Sequence, residues 1–308
     1  MVETGLVKFS YKGSSVLKRV YDVFAVGFIQ KKGDINHVVG DFNYAAFFMR
    51  KRKTILTIHD LYRLYINAGS PVKKWVIKWF WLRIPISNAV IVTAVSETTR
   101  QEVLKYANCH PAKVRVIYNC ISPEFMPVPK AFNKEKPVLL QMGTRANKNL
   151  PRLIKAIEGL SCKLDIVGSV NAETIQLLNH HKIDFTWKSN LTNQEVLQKY
   201  IDADILVFAS VFEGFGLPII EANAVERVVV TGNCSAMAEV AGNAACLVDP
   251  LDINSIRSGI LKVIEDDLYR SQLIRNGRIN KQKFSAEKIA GEYFNLYNEL
   301  YTKNAGHN

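Results

Sequence analysis

Two glutamates and two glycines in the stretch 204–223, which reads DILVFASVFEGFGLPIIEAN, could bind a molecule that carries both hydroxyl groups and phosphates. Glu213 precedes Gly214 and Gly216, and Glu221 follows eight positions after Glu213. Glycines let a backbone approach a ligand closely, and the free N–H groups at the start of a helix bind anions such as phosphate. The carboxylates could accept hydrogen bonds from hydroxyl groups. This combination favours a sugar joined to a phosphate as the ligand.

The sequence around these residues predicts a strand, a loop and a helix. Ile205 to Ala209 is an uncharged run of β-preferring residues, typical of a strand buried on both faces of a parallel sheet. Pro218 stands where the first turn of a helix is expected, because its fixed φ suits that position and its missing N–H would have no partner there. Both glutamates are therefore expected at the mouth of a sheet.

The sequence EGFGLPIIE at 213–221 resembles the E-x7-E signature of the retaining, GT-B-fold glycosyltransferases of family 4. A lone pair of glutamates at this spacing would indicate only an ordinary strand-to-helix turn with a capping glutamate. Here the residues between and after them match as well, and such context favours the family. The resemblance implies an α/β protein with two Rossmann-like domains, whose parallel sheets face each other across a cleft. It also implies transfer of a sugar from a nucleoside diphosphate sugar to a hydroxyl acceptor, with retention at the anomeric carbon.

The resemblance assigns roles to the residues of this motif. Glu213 would hold hydroxyl groups of the transferred sugar, and Glu221 would hold those of the ribose. The rest of the loop is expected to bind the donor, with its backbone amides stabilising the leaving diphosphate; these residues are Gly214, Phe215, Gly216 and Leu217.

A second loop, GTRANKN at 143–149, carries two cations directly after a predicted strand, Val138–Met142. Gly143 permits close backbone approach, and Arg145 and Lys148 lie just before a predicted helix that Asn149 could cap. Cations at a helix N-terminus suit the binding of a diphosphate. The alternative is that these residues form a charged loop that is only solvated by water. In the family, GT…KN has this position, and its basic residues bind the donor phosphates and stabilise the leaving group. Arg145 and Lys148 are therefore candidate catalytic residues.

His59 ends a predicted strand, KTILTIH at 53–59, and open α/β sheets place their ligand groups at such carboxyl ends. The sequence IHDL at 58–61 resembles the family's HD(L) motif, whose histidine points into the cleft near the donor sugar. A lone histidine in this position is more often structural. With the resemblance, His59 becomes a candidate catalytic residue that could hydrogen-bond the sugar.

The segment after a predicted strand at Ile183–Trp187 touches the nucleotide base in the family. This implication nominates Trp187, Lys188 and Ser189 as donor-binding residues. Trp187 could stack on a base or merely cover the core.

The segment 71–85, PVKKWVIKWFWLRIP, interleaves basic and aromatic residues. A regular helix would place Trp75, Trp79 and Leu82 on one face, with two lysines beside it. This pattern suits a helix in the interface of an anionic membrane, and it suits equally a core helix with two solvated lysines. The membrane interpretation predicts a lipid-linked acceptor, since many family members extend glycans on polyprenyl diphosphate carriers at the cytoplasmic face.

Four prolines between Ser122 and Pro137 mark the best domain boundary. We expect an N-terminal acceptor-side domain over 1–125 and a nucleotide-sugar-binding domain over 126–284. By resemblance, a helix within 285–308 crosses back to the first domain, ahead of a short tail. The secondary structure of the first 60 residues is the hardest to predict. We expect a strand at Val7–Ser10 and a helix at Val16–Val26. The family's glycine-rich loop is represented only by Gly13-Ser14-Ser15, so either the first unit is abbreviated or a native N-terminus is missing.

The composition limits the class of protein. A net charge of +12 and a pI near 9.4 imply an anionic partner, either a nucleotide sugar, an anionic lipid surface or nucleic acid. The charge is spread over both domains without an aromatic-basic recognition module, which argues against nucleic acid. The five cysteines form no C-x-x-C pair, which favours reduced cytosolic thiols over a zinc site. With no signal-peptide pattern and no long apolar run, we expect a cytoplasmic protein, with peripheral membrane contact if the first interpretation of 71–85 holds.

The sequence contains no D-x-D motif, and fixed cations are expected to face the phosphates, so no metal and no cofactor beyond the donor is predicted. The predicted function is a retaining glycosyltransferase that makes cell-surface polysaccharide or lipid-linked glycan. The alternative is a noncatalytic sugar-nucleotide-binding or scaffold subunit, which the short N-terminal region makes more plausible.

Overall fold

The computed structural model describes residues 35–40, 42–49, 51–66 and 69–305. The predicted strand at Val7–Ser10, the predicted helix at Val16–Val26 and the Gly13-Ser14-Ser15 loop lie outside these residues. The described residues form two parallel sheets with helices packed against them, which confirms the prediction of two Rossmann-like domains.

The first sheet has the strand order β1-β2-β3-β4, and every pairing is parallel. Its strands are β1 (Asn36–Val38), β2 (Thr54–Ile58), β3 (Ile91–Ala94) and β4 (Val114–Val116). Every residue of β2 and β3 is buried, as expected for central strands covered on both faces. The helices around this sheet are α1 (Tyr62–Ile66), α2 (Pro71–Val76), a π-helix (Ile77–Arg83), α3 (Ile84–Asn88) and α4 (Glu97–Ala107). Short 3₁₀ turns span Asn43–Phe48, Lys51–Lys53 and Pro111–Lys113.

The second sheet has the order β10-β9-β8-β5-β6-β7, also with parallel pairings. Its strands are β5 (Val138–Met142), β6 (Lys163–Val167), β7 (Asp184–Lys188), β8 (Ile205–Phe208), β9 (Val228–Gly232) and β10 (Cys246–Val248). The helices that cover it are α5 (Leu150–Ala156), α6 (Ala172–His180), α7 (Asn193–Asp202), α8 (Leu217–Ala224), α9 (Ser235–Ala241), α10 (Ile253–Glu265) and α11 (Asp267–Asn280). Two 3₁₀ turns, Ala146–Lys148 and Lys281–Phe284, complete this part. The strands β5 and β8 are neighbours, so the loops that follow them open at adjacent points of the same edge.

Two helix starts show the capping chemistry that their sequences favour. The Ser96 hydroxyl accepts from the Thr99 N–H at the start of α4, and Thr192 with Glu195 forms a reciprocal capping box at the start of α7. The capping role predicted for the Asn149 side chain is wrong. Asn149 precedes α5 with a φ of +60°, and its Nδ2 donates to the carbonyls of Ala209 at 3.0 Å and Pro250 at 2.6 Å. That amide therefore ties the 143–149 loop to the second sheet, beyond the end of β8.

The last helix, α12 (Ala286–Ala305), lies on the first sheet. Its buried residues Ile289, Leu296 and Leu300 share a hydrophobic cluster with Ile55 and Ile91. Two polar contacts fix the same helix, a bidentate ion pair from Arg115 to Glu299 and a 2.7 Å hydrogen bond between Tyr297 and His37. The chain thus begins its final helix after the second sheet and packs it against the first.

The segment 71–85 does not form the single regular helix on which its predicted face depends. It is α-helical over Pro71–Val76 and π-helical over Ile77–Arg83, and each π-helical turn takes up an extra residue. Trp75 and Trp79 are consequently 56% and 38% exposed, whereas Leu82 is fully buried. The prediction that these three residues share one face is wrong. No helix in the described ranges is long and apolar enough to cross a bilayer.

Candidate active site

The two loops that follow β5 and β8 meet at an ion pair. Lys148 Nζ donates to Glu213 Oε1 at 2.7 Å, and Asn147 Nδ2 donates to the same oxygen at 3.1 Å. Asn147 also holds the backbone of the other loop, because its Nδ2 donates to the Phe212 carbonyl at 3.0 Å and its own carbonyl accepts from the Val211 N–H at 2.8 Å. The cation and the acid nominated from separate motifs therefore converge on one spot.

The Lys148 side chain runs across Gly143 and over an aromatic ring. Its Nζ lies 4.6 Å from the centroid of the Phe208 ring, and a Cβ added at Gly143 would come within 3.1 Å of its Cε. Gly143 has a φ of +87°, so a side chain there would be strained in conformation as well as crowded. Gln141 Nε2 donates to the carbonyls of both Gly143 and Lys148 at 3.1 Å. Gly143 and the Phe208 ring thus both lie close to the Lys148 side chain, while Gln141 fixes the backbone of the loop.

The backbone of Glu213 is fixed by Ser235 at the start of α9. The Ser235 hydroxyl donates to the Glu213 carbonyl and accepts from the Glu213 N–H at 3.1 Å. The side chains of Lys148 and Glu213 are 19% and 14% exposed, so their ion pair is partly shielded from water. Ser235 was not among the predicted site residues, since no local pattern links it to Glu213.

Gly214 is one of the points at which the second domain contacts the first. A Cβ added there would lie 1.8 Å from the His59 carbonyl oxygen and 2.7 Å from Asp60 Cβ. The Gly214 carbonyl accepts from Ser96 Oγ at 2.7 Å and from Thr99 Oγ1 at 3.0 Å. The close approach that requires a glycine at this position is therefore to the backbone of the first domain.

A carboxylate of the second domain caps a helix of the first. Glu239, on α9, accepts from the N–H groups of Glu97 at 2.7 Å and Thr98 at 3.0 Å, which are the first residues of α4. It also accepts from Thr98 Oγ1 and from the Tyr118 hydroxyl, each at 3.1 Å. A negative charge at a helix N-terminus is favourable, so this contact stabilises the observed arrangement of the two domains. Sequence reasoning missed Glu239.

His59 lies at the carboxyl end of β2, on the side of the sheet that faces the second domain. Its ring is exposed, and its Nε2 accepts from the Gly40 N–H at 3.2 Å. The following residue, Asp60, accepts from the Tyr62 N–H at 2.9 Å and so starts α1. The histidine thus stands beside the interdomain contact made by its own carbonyl and Gly214.

Glu221 is held by a buried tyrosine. The Tyr200 hydroxyl donates to Glu221 Oε2 at 2.6 Å, and burial raises the pKa of both groups. Gly216 adopts a φ of +103° just before α8, as the predicted loop-to-helix turn requires, and Leu217 is 39% exposed. Phe215 has its ring in the core against Tyr118 and Phe284, so only its backbone is left for a ligand.

Two of the remaining nominated residues lie away from the ion pair. Trp187, 44% exposed, and Lys188 belong to β7, the edge strand, which is separated from β5 by β6. Lys188 pairs with Glu195 at 2.6 Å, and this hydrogen bond lowers the pKa of Glu195 to about 2. Arg145 is exposed at the tip of the 143–149 loop. The structure therefore brings Gly143, Lys148 and Glu213 together without placing Trp187 or Lys188 in contact with them.

The described residues contain no group of three or more His, Cys, Asp or Glu side chains that could hold a metal ion. The ammonium of Lys148 lies in the site, and Arg145 belongs to the same loop.

Comparison with known proteins identifies relatives over most of the chain. A family model described as Glycosyl transferases group 1 matches residues 123–280, and one described as Glycosyltransferase Family 4 matches residues 9–125. O-antigen chain mannosyltransferase B of Escherichia coli is 25% identical over 274 residues, which make up 82% of this chain and 71% of that protein. O-antigen chain mannosyltransferase RfbU of Salmonella typhimurium is 28% identical over 221 residues, or 69% of this chain and 61% of that protein. The chain thus spans less than two thirds of the length of the second relative.

Among solved structures, Anabaena Alr3699/HepE in complex with UDP and glucose superposes with a TM-score of 0.74. The sequences are 16% identical, and the match covers 92% of this chain and 82% of that one. At this identity the likeness shows a shared fold.

Proposed function

This chain belongs to the group 1 glycosyltransferases and has the GT-B fold, and on that premise we propose that it transfers a sugar from a nucleoside diphosphate sugar to a hydroxyl acceptor, with retention at the anomeric carbon. The observation that carries the proposal is the 2.7 Å contact between Lys148 and Glu213, which comes from two loops at the carboxyl edge of one parallel sheet. Ligands of open α/β sheets bind at this edge.

In this proposal Lys148 and Arg145 neutralise the diphosphate as it leaves. The bond between the anomeric carbon and the phosphate oxygen breaks, and the acceptor oxygen forms the new bond on the same face. The leaving phosphate takes the proton of the acceptor hydroxyl, so no side chain has to act as a general base. Fixed positive charge at the developing phosphate charge is the largest expected contribution to the rate. Since the two side chains supply this charge, the proposed reaction needs no metal.

Glu213 and Glu221 have separate proposed roles in holding the donor. When the Lys148 ammonium binds a phosphate in place of Glu213, the Glu213 carboxylate becomes available to accept hydrogen bonds from hydroxyl groups of the transferred sugar. Glu221 has one oxygen fixed by Tyr200 and would accept from the ribose with the other. His59, beside the domain contact at Gly214, would hydrogen-bond the sugar from the first domain.

The proposed acceptor is a growing glycan, either free or lipid-linked, in polysaccharide synthesis. The names of both mannosyltransferase relatives refer to the O-antigen chain, which supports this acceptor class. The five cysteines are free thiols, which supports a reducing, cytoplasmic compartment.

A panel of nucleoside diphosphate sugars tests the proposal directly. A donor that binds only the folded protein raises its Tm, so one or a few members of the panel should stabilise the protein more than the sugar or phosphate alone. NMR of the product formed from that donor should show the anomeric configuration of the donor. The absence of both stabilisation and release of nucleoside diphosphate across the panel would contradict the proposal, whereas tight donor binding without transfer to any acceptor would indicate a noncatalytic subunit.

A further inference from the structure

Five large apolar side chains form one exposed surface on the first domain, which we call the aromatic surface. Its members are Val72 (73% exposed), Trp75 (56%), Val76 (42%), Trp79 (38%) and Phe80 (49%). The ring centroid of Trp75 lies 6.1 Å from that of Trp79 and 6.5 Å from that of Phe80, so the aromatic members are contiguous. A contiguous exposed apolar surface of this kind marks an interaction site.

The residues that follow anchor this surface rigidly to the protein. Trp81 and Leu82 are buried in the core of the first domain, and the Trp81 carbonyl accepts from Asn43 Nδ2 at 3.2 Å. The guanidinium of Arg63 lies 5.7 Å from the Trp81 ring centroid. Trp81 and Leu82 are the buried residues of the π-helix, so the rings of Trp79 and Phe80 before them face outward.

The segment that carries the aromatic surface has charges of one sign. Between Asp60 and Glu97 the sequence contains five basic residues and no acidic one. Three of the basic residues, Lys73, Lys74 and Lys78, alternate with the aromatic residues of the surface, and Arg83 lies over the Trp79 ring at 4.9 Å. Lysine stems can lie along apolar surface while their ammonium groups reach a polar layer.

We propose that the aromatic surface docks on a lipid bilayer that carries anionic headgroups. Tryptophan rings and lysines that alternate along one outward-facing helical segment fit the boundary between headgroups and acyl chains. The positive charge of this segment complements anionic headgroups and adds attraction that a neutral bilayer lacks. Apolar burial and charge would therefore contribute together to binding.

The position of α1 connects this surface to the proposed active site. On α1, Arg63 contacts the Trp81 ring, and the Tyr65 ring lies 4.5 Å from that of Phe212, the residue before Glu213. Docking would thus bring the cleft close to the bilayer surface, where a lipid-linked acceptor would present its hydroxyl group. This last consequence rests on the proposed transferase function, whereas the docking itself does not.

Flotation of the full chain with vesicles tests the docking. We expect partition onto vesicles of phosphatidylcholine with phosphatidylglycerol, weaker partition at high salt, and little partition onto phosphatidylcholine alone. Replacing Val72 and Trp75 together by serine should lower the partition coefficient about tenfold or more, because it removes two side chains from the apolar contact. Lys73→Gln with Lys74→Gln should weaken binding to the anionic vesicles only.

The matched control replaces Leu251 and Leu268 by serine, two exposed apolar residues of the second domain, and should bind vesicles as the wild type does. The donor-induced rise in Tm should be unchanged in the Val72→Ser, Trp75→Ser variant, which shows that the variant is folded. Equal partition of the wild type and this variant, or self-association through the aromatic surface without vesicle binding, would overturn the proposal. Failure of all donors to bind would overturn the transferase function but leave the vesicle result standing.

Discussion

Lys148 and Glu213 form an ion pair whose Nζ and Oε1 atoms lie 2.7 Å apart, although the residues are 65 positions apart in the chain. Under the proposed function, a diphosphate would bind the same ammonium that Glu213 contacts. Donor binding and the orientation of the proposed sugar-binding carboxylate would then be coupled through this one contact.

Glu213→Gln should separate the effect on diphosphate binding from the effect on sugar positioning. The neutral amide competes less well for Lys148, so we expect a nucleoside diphosphate without sugar to bind severalfold more tightly in calorimetry. Turnover should fall by about 10²-fold or more, because the acid that positions the sugar is lost. Glu173→Gln, at an exposed site on α6, is the matched control and should change neither quantity. Wild-type turnover in the Glu213 variant would show that Glu213 has no role in the mechanism.

Gly214→Ala should disrupt the contact between the domains. The added Cβ would lie 1.8 Å from the backbone carbonyl of His59, so the backbone on one side of this contact must shift. We expect a loss of roughly 1–3 kcal/mol of stability in thermal denaturation and a marked loss of turnover. The control is Gly291→Ala on α12, where a Cβ meets nothing within 4 Å and should be neutral or slightly stabilising. Equal melting temperatures for the two variants would show that the interface is not tightly packed.

Glu239→Gln tests whether the domain arrangement depends on the capped helix α4. The amide keeps the size of the side chain but loses the charge-assisted hydrogen bonds to the N–H groups of Glu97 and Thr98. We expect kcat to fall about tenfold, with little change in the affinity for nucleoside diphosphate, since the donor loops remain intact. Solution scattering should show a broader distribution of domain separations. An unchanged scattering profile with unchanged kcat would argue that the other interdomain contacts suffice.

The free energy of unfolding should decrease as the pH is lowered, because of His37. Burial, together with the neighbouring His59, lowers the pKa of His37 from 6.5 to about 4. The unfolded chain therefore binds a proton in this window that the folded protein does not, so the contribution is complete above pH 6.5 and is lost as the pH falls towards 4. The expected loss is up to about 3 kcal/mol. Urea unfolding across this window should show a shallower pH dependence for His37→Gln than for the wild type, and parallel profiles would contradict this assignment.

Local signals in the sequence predicted the elements that carry the site. The strand Val138–Met142 depends on a hydrophobic run within a few positions, and the structure has it as predicted. The helix starts at Ser96 and Thr192 likewise depend on capping residues close by in the sequence. The π-helical turn at Ile77–Arg83 was not predictable in this way, because helical periodicity assumes a constant number of residues per turn.

The contacts that join the domains also escaped sequence reasoning. Glu239 meets Glu97 across 142 positions, and Gly214 meets Ser96 across 118. Neither pair has a local pattern, since both depend on how two separate sheets face each other. The glycines of the 213–221 motif were interpreted through ligand approach alone, whereas the structure adds a packing reason for Gly214.

The most direct test of the central claim is the turnover of Lys148→Ala with a donor identified by the panel, measured beside Lys155→Ala, which changes an exposed lysine on the adjoining helix α5. We predict that Lys148→Ala lowers kcat by about 10²–10³-fold while the Tm stays close to that of the wild type, and that Lys155→Ala has wild-type kinetics. Equal turnover in the two variants would contradict the assignment of Lys148 to the leaving diphosphate.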